Sequence, residues 1–207
     1  MTDRKTDRRL HIGCGGAILP GWINIDLESA PGVDLVLDVR EGLPFDSADY
    51  IFAEHFIEHL SFHAGLNFIR ECRRLLTDTG VLRLSTPNLD WVWLNQYHYG
   101  SWSHDDEAVR DCFWMNKAFR GWGHRFLYNR QTLSEVLIEG GFGVVESCVY
   151  GESRYPALRK LERHEKYVDS PETPHIIVVE ASDRSDSLSA ALPAPRSDYE
   201  SAVGIED

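Results

Sequence analysis

Residues 10–26 read LHIGCGGAILPGWINID and combine two short apolar runs with a glycine turn and a closing acid. The first run ends at Gly13, and the second ends at Asp26. Glycine lets a backbone turn sharply and lets a ligand approach closely, because it has no Cβ. An acid at the end of a second strand can accept hydrogen bonds from both hydroxyl groups of a ribose. The stretch therefore indicates a candidate nucleoside site.

The spacing within this stretch separates two classes of nucleotide site. A dinucleotide site places its acid roughly 20 residues after a glycine motif that opens a full helix. Here the acid follows Gly15 by about 11 residues, and Pro20 and Gly21 interrupt the segment. No full helix fits there, so no helix N-terminus is placed to bind a pyrophosphate. The spacing favours a ligand with a ribose and no phosphate, such as S-adenosylmethionine.

The composition is that of an acidic globular protein. The chain has 207 residues, 43% apolar and 26% charged, which suits one domain with a sizeable core. Its net charge of −12 argues against nucleic acid and anionic membranes as partners. No apolar run reaches the roughly 18 residues of a membrane helix, and the charged N-terminus does not resemble a signal peptide. We therefore expect a cytoplasmic protein without membrane insertion, in an oligomeric state that the sequence leaves open.

The chain divides into one folded domain and two polar ends. We predict a disordered N-terminus over residues 1–8, a domain over 9–181 and a disordered acidic tail over 182–207. The tail is rich in Ser, Asp, Ala and Pro. It has few large apolar side chains whose burial could offset the entropy lost on ordering.

Within the domain, short apolar runs alternate with helical patterns. The predicted strands are 10–13, 22–26, 33–39, 49–53, 81–85, 144–150 and 175–180, and the predicted helices are 61–76 and 131–139. This order indicates an α/β fold with parallel strands at the centre, whose ligands bind outside the carboxyl ends of the strands. The residues expected there are Gly13 to Gly16, Asp26, Asp38, Glu54 and His55.

Several sequence blocks together resemble a known family. The blocks are HIGCGG, GWINIDL, VDLVLDVREGLPF, DYIFAEHFIEHL and RECRRLLTDTGVLRLSTPNL. They resemble the class I S-adenosylmethionine-dependent methyltransferases, and within these the small bacterial group with a compressed glycine loop. The resemblance covers about residues 9–181. It implies a Rossmann-like, mostly parallel sheet with a shortened first half, S-adenosyl-L-methionine as cofactor, and direct methyl transfer to a small-molecule or sugar-type acceptor.

The resemblance also implies roles for individual residues. Gly13 and Gly15 match the glycines whose backbone lies against the methionine part of the cofactor, and Asp26 matches the acid that binds the ribose. The other matches are Asp38 for the adenine amino group, Val39 for a backbone N–H to the ring, and Glu54 and His55 for the methionine end and the substrate. The chain departs from the pattern at Ala17, which stands where a third glycine is usual.

Residues 88–128 are rich in aromatic side chains and contain five of the six tryptophans. They follow the fifth strand, where this architecture places insertions over the active site. Two interpretations are open: an aromatic mini-core, or a lid that closes over the substrate, excludes water and offers rings near the sulfonium.

If the acceptor is a hydroxyl, a base beside it helps methyl transfer, and histidine is the usual base at neutral pH. We expect His124 first and His55 second, with His164 as a further candidate. Arg163 and Arg125 could hold an anionic acceptor.

Residues 55–59, HFIEH, match the H-x-x-E-H pattern of some zinc peptidases. That pattern needs a long helix and a third ligand from another helix, whereas here it directly follows a predicted strand. We therefore expect no metal site. Two alternatives to a methyltransferase stay open: a non-catalytic nucleoside-binding module with the same fold, and a zinc hydrolase built on His55 and His59.

Overall fold

The computed structural model describes residues 7–164, 170, 172–184 and 195–203 of the chain. The strands are β1 Arg9–Ile12, β2 Ile23–Asp26, β3 Leu35–Val36, β4 Ala48–Glu54, β5 Leu76–Pro87, β6 Phe142–Ser147 and β7 Ile176–Arg184. They form one seven-stranded sheet in the order β3-β2-β1-β4-β5-β7-β6. Strands β1 to β5 pair in parallel, and β7 runs antiparallel to both β5 and β6. The predicted α/β class and mostly parallel sheet are confirmed.

The helices are α1 Phe62–Leu75, α2 Leu89–Gln96, α3 Asp105–Arg120, α4 Arg130–Glu139 and α5 Pro195–Val203. Helix α1 begins as predicted, because the Ser61 side chain accepts a hydrogen bond from the Ala64 N–H at 3.2 Å. Its apolar stripe is buried with residues of α4 in the main core of the protein. None of the helices in the described residues combines the length and hydrophobicity that a membrane crossing requires.

A short loop replaces the first helix of the sheet. Residues 13–22, all of them described, contain no helix between the parallel strands β1 and β2. The buried Asn24 side chain fixes this loop. Its Oδ1 accepts from the Leu19 N–H at 2.9 Å, and its amide nitrogen donates to the carbonyls of Leu19 and Trp22, both at 3.2 Å. The predicted shortened first half of the sheet is confirmed.

Strand β3 is shorter than the predicted range 33–39. Only Leu35–Val36 pairs with β2, and a 3₁₀ turn follows over Val39–Glu41. The Asp38 carboxylate accepts from the Arg40 N–H at 3.0 Å, as an N-cap does, and so starts the turn and ends the strand.

The second face of the sheet is covered largely by loops. Leu19 and Trp22 from the β1–β2 loop pack with Leu158 and Leu161 against side chains of β4 and β5. Residues 148–164, called the strap here, contain the last two. The strap is anchored through the buried Arg83 of β5. Its guanidinium donates to Glu162 of the strap and to Glu180 of β7, both at 2.6 Å.

Helix α5 lies within the segment predicted to be a disordered tail. The Arg196 guanidinium lies 4.9 Å from the centre of the Phe62 ring, and the Tyr199 ring packs against Phe126 at 5.5 Å. The composition argument counts large apolar residues, and so it overlooks a helix that docks through one Tyr and one Arg side chain. The predicted ends also overlap the described structure at two other places, because β7 extends to Arg184 and the Arg8 N–H donates to Asp49 Oδ2 at 2.9 Å. The predictions of disorder for residues 1–6, 185–194 and 204–207 lie outside the described residues.

Candidate functional site

A cavity of about 1050 Å³, called the large cavity here, lies at the carboxyl ends of β1 and β4. The glycine loop, Glu54 and His55 form one wall, and residues of α2 and α3 form the opposite wall. Seven of the nine histidines line it: His11, His55, His59, His98, His124, His164 and His175. Parallel sheets bind ligands at this edge, so the position agrees with that expected from the sequence.

The glycine loop has the backbone geometry that the sequence predicts. Gly13 and Gly15 adopt φ angles of +63° and +49°, in the left-handed region that favours glycine. A Cβ on Gly13 would lie 2.4 Å from the ring of Phe56, whereas a Cβ on Gly15 would meet no described atom within 4 Å. The space in front of Gly15 is therefore open to a ligand.

Asp26 joins the end of β2 to this loop. Its Oδ2 accepts from the Gly15 N–H at 2.7 Å, and its Oδ1 accepts from the Glu28 N–H at 3.0 Å. Each carboxylate oxygen accepts about two hydrogen bonds, so each keeps capacity for one more. Asp26 is not one of the described residues that line the large cavity.

Asp38 and Val39 lie in a second cavity of about 500 Å³, called the small cavity here. The guanidinium of Arg40 binds the Asp38 carboxylate, with distances of 2.9 and 3.0 Å from Nε and 2.6 Å from Nη2. These hydrogen bonds lower the pKa of Asp38, so the carboxyl is charged at neutral pH.

The residues predicted to bind one cofactor thus divide between two cavities, except Asp26, which is not among the described residues lining either cavity. The Phe56 ring lies between them, because it faces Gly13 of the large cavity and packs edge-on against Phe68 of the small cavity, with ring centres 5.1 Å apart. The Phe56 side chain therefore lies between the predicted methionine end and the predicted adenine end.

Glu54 has a role that the sequence does not predict. Its carboxylate accepts hydrogen bonds from the backbone N–H groups of Arg163 at 2.9 Å and His164 at 3.1 Å. The Arg163 guanidinium in turn donates to the Ile18 carbonyl at 2.9 Å. Glu54 therefore holds the end of the strap across the glycine loop, within the wall of the large cavity.

The two predicted catalytic histidines both line the large cavity, in different settings. His55 has a φ of +47° and stacks on His164, with ring centres 3.9 Å apart. The Nδ1 of His124 lies 2.8 Å from the Ala118 carbonyl. A carbonyl only accepts, so the Nδ1 of His124 carries a proton, and in the neutral imidazole Nε2 is the unprotonated nitrogen.

The H-x-x-E-H residues do not form the helical site of a zinc peptidase. Residues 57–59 form a single 3₁₀ turn rather than a long helix. The Nδ1 of His55 lies 3.2 Å from Glu58, whereas the His59 ring packs against that of His124 at 5.1 Å. The two histidines of the pattern therefore face different partners.

The aromatic segment 88–128 contains a mini-core and also covers the large cavity. Val92, Met115, Ala118 and Leu127 form a separate buried cluster between α2 and α3. Three of the five tryptophans, Trp91, Trp114 and Trp122, line the large cavity. The two interpretations of this segment are thus compatible.

Asp111 organises this segment and is absent from the predicted site. It is buried, and its Oδ2 accepts from the Trp102 Nε1, the His98 N–H and the His98 Nδ1, each at 2.9 Å. The hydrogen bonds from Trp102 and His98 lower its pKa.

Asn24 and His11 are two further site residues that the sequence analysis does not predict. The Nδ1 of His11 lies 3.2 Å from the Asn24 Oδ1, and burial lowers the pKa of this imidazole.

The chain was compared with protein-family models and with curated proteins. A family model described as "Methyltransferase domain" matches residues 2–147. No curated protein matches this chain.

Solved structures of methyltransferases have a similar fold. A SAM-dependent methyltransferase from Archaeoglobus fulgidus is 18% identical, with 86% of each chain covered and a TM-score of 0.51. One from Mesorhizobium loti is 16% identical, with 84% of this chain and 90% of that chain covered and a TM-score of 0.52. A possible histamine N-methyltransferase from Thermotoga maritima is 15% identical, with 86% and 82% covered and a TM-score of 0.51. At these identities the likeness supports the fold alone.

Proposed function

The chain belongs to the family of methyltransferase domains, and on this premise we propose that it uses S-adenosyl-L-methionine to methylate a small-molecule acceptor in the large cavity. The observation that carries the proposal is the bond between the glycine loop and Asp26. It brings a backbone shaped for close approach and a carboxylate with spare acceptor capacity to the carboxyl ends of β1 and β2.

The hydrogen-bonding groups and the open glycine backbone at this site are suited to this cofactor. Asp26 would accept hydrogen bonds from the ribose hydroxyls, and Gly13 and Gly15 would face the methionine part. The charged Asp38 and the Val39 N–H would serve the adenine in the small cavity. Because the Phe56 ring separates the two cavities, we propose that it turns aside when the cofactor binds. When bound, the cofactor supplies a methyl group on a positively charged sulfur.

The histidines of the large cavity would handle the acceptor proton. In the neutral tautomer with its proton on Nδ1, the Nε2 of His124 can accept the proton of an acceptor hydroxyl. His55 is the second candidate, since it lies at the end of β4 in the same cavity. Helices α2 and α3 would exclude water and hold the acceptor in line, which is the main requirement of a direct displacement.

The lining of the large cavity supports a small, partly apolar acceptor. Trp91, Trp114 and Trp122 offer ring faces on which a sugar or an aromatic group can stack. Lys117 lies over the rings of Trp114 and Trp122, at 4.6 and 4.7 Å from their centres, and brings a positive charge to the same wall. A sugar-type acceptor with an anionic group fits this combination.

A titration of S-adenosylhomocysteine into purified protein tests the cofactor assignment. Asp26→Ala removes the acceptor of both ribose hydroxyls, and we expect it to weaken binding about 100-fold. Asp78→Ala is the matched control, because it removes an exposed acid of β5 outside both cavities. Unchanged affinity in Asp26→Ala would refute the role of Asp26.

A transfer assay separates the enzyme from its main alternative. Protein incubated with methyl-labelled cofactor and candidate acceptors should transfer the label, and mass spectrometry of copurified ligands can supply those candidates. Cofactor binding without transfer to any acceptor would favour a non-catalytic nucleoside-binding module.

A further inference from the structure

Glu58, His59 and His124 form a side-chain cluster at the edge of the large cavity. One ligand atom from each of the three lies within 4.8 Å of the other two. His59 and His124 line the cavity, and Glu58 is fully buried behind them. From this geometry we infer that the three residues bind one divalent transition metal ion of the zinc class.

The donor set is suited to such an ion. Two imidazole nitrogens and one carboxylate oxygen are the ligands of several catalytic zinc sites, which leave a further position open. Ligand atoms that share a zinc ion at about 2.1 Å lie about 3.4 Å apart in tetrahedral geometry. The three ligand atoms lie within 4.8 Å of one another, so the side chains would have to rotate to bring them to that separation.

The protonation state of His124 favours ligation. Because its Nδ1–H is bound to the Ala118 carbonyl, the Nε2 lone pair is available. A backbone carbonyl on the other ring nitrogen is the usual outer contact of a metal-binding histidine, since it fixes both the tautomer and the ring plane. The same bond that would suit a general base therefore also suits a ligand.

Glu58 supplies a buried carboxylate that lacks a full set of partners. Its Oε2 accepts from the Thr86 hydroxyl at 2.9 Å. Its Oε1 is buried and accepts no hydrogen bond from any described group, although the Nδ1 of His55 lies 3.2 Å away. Burying a charged oxygen is costly unless a cation or a donor compensates it, and a bound cation would do so.

The backbone brings the two distant parts of the cluster together. The Glu58 carbonyl accepts from the N–H groups of Arg125 at 2.7 Å and Phe126 at 3.2 Å. A turn with left-handed φ angles of +56° at Trp122 and +82° at Gly123 precedes His124. The cluster is thus built on fixed main chain rather than on mobile side chains alone.

A bound ion would change how the acceptor is activated. It would take the Nε2 lone pair of His124 and offer its open position to an acceptor oxygen, whose proton it would make more acidic. The binding test needs neither cofactor nor acceptor, so its failure would leave the proposed function intact.

The test is a calorimetric titration of zinc chloride into the untagged 207-residue chain. We expect one ion per chain, and we expect His59→Ala, His124→Ala and the near-isosteric Glu58→Gln each to weaken binding about 100-fold or more. His104→Ala should bind as the wild type does, because His104 is exposed and outside the cluster. Circular dichroism of each variant excludes unfolding as the cause of a loss.

Three results would overturn the inference. The first is no stoichiometric binding by the wild type. The second is unchanged binding in both His59→Ala and His124→Ala. The third is binding that needs His55 but not His124, which would place the ion on the H-x-x-E-H pattern instead.

Discussion

The cofactor side and the acceptor side of the large cavity are built in different ways. The cofactor side is built mainly from local backbone: the glycine loop, the strands β1 and β2 and the Asn24 side chain that fixes the loop all lie within residues 9–26. The acceptor side uses side chains that come from α2, α3, the strap and the segment around His175. A local structure is encoded by local sequence, whereas the acceptor side depends on contacts between distant residues. Changes on the cofactor side should therefore affect folding and cofactor binding, and changes in α2 and α3 should affect acceptor use.

The largest effect is expected at Gly13. Gly13→Val adds a branched side chain at a φ of +63°, with its Cβ only 2.4 Å from the Phe56 ring. We expect a loss of unfolding free energy of about 3 kcal/mol and no measurable binding of S-adenosylhomocysteine. Gly16→Ala is the control for stability, since a Cβ there meets no described atom within 4 Å. Denaturant unfolding and calorimetry measure both quantities, and a stable, binding-competent Gly13→Val would contradict the account.

Asn24→Ala should follow in size. It removes the side chain that holds the β1–β2 loop and leaves buried groups of Leu19 and Trp22 without partners. We expect a loss of about 2 to 3 kcal/mol in unfolding free energy. Asn116→Ala is the control, because the Asn116 side chain is exposed and bonds only within α3. Equal unfolding free energies of the two variants would contradict the claim that the Asn24 side chain fixes the β1–β2 loop.

Asp111→Asn should have a smaller and more local effect. It replaces an acceptor of three hydrogen bonds in the aromatic segment with a group that can accept fewer. We expect a raised KM for the acceptor with unchanged cofactor affinity. Asp106→Asn, an exposed change on the same helix, serves as the control. If cofactor affinity fell by the same factor as the acceptor KM rose, the claim that α3 affects only acceptor use would be wrong.

Asp111 also gives the segment a pH dependence. Hydrogen bonds from Trp102 and His98 lower its folded-state pKa below the unfolded value of about 3.9. The carboxylate therefore contributes its full stabilisation above about pH 4, and this is lost as the pH falls through the folded-state pKa. Tryptophan fluorescence should report the loosening in acid, and Asp111→Asn should lack this transition. An identical acid titration in both proteins would contradict the assignment.

The smallest effect on stability is expected at Trp122. This side chain is 68% exposed, so Trp122→Ala should change the unfolding free energy by no more than about 0.5 kcal/mol. It should raise the acceptor KM about fivefold through loss of a stacking surface. Trp93→Ala is the matched control, because Trp93 is 56% exposed in the same segment but is not among the described residues lining the large cavity. Equal kinetics in the two variants would argue against a role for Trp122.

The contrast between the two sides also marks what the sequence could predict. The strands around Leu10 and Ile25 and the helix after Ser61 follow from short-range patterns, and the structure confirms them. Strand β3 is shorter than predicted, because the capping of a 3₁₀ turn by Asp38 outweighs the apolar pattern. The cofactor contacts of Val39, Asp38 and the other predicted site residues stay predictions.

The contacts between side chains on the acceptor side could not be predicted from short sequence patterns. The His124 ring reaches the His59 ring through a turn in which Trp122 has a left-handed backbone conformation. Tryptophan seldom adopts this conformation, so the sequence does not predict the turn. The bond from the strap to Glu54 joins residues 109 positions apart. Asn24 could have been recognised from the GWINIDL block, because a polar residue inside a predicted buried strand needs hydrogen-bond partners.

The most direct measurement is a crystal structure of the protein with S-adenosylhomocysteine. We expect the ribose hydroxyls on the Asp26 carboxylate, the adenine beside Asp38 and Val39, and the Phe56 ring turned away so that the two cavities join. A ligand bound elsewhere, or one that leaves Asp26 without a contact, would contradict the account of this site.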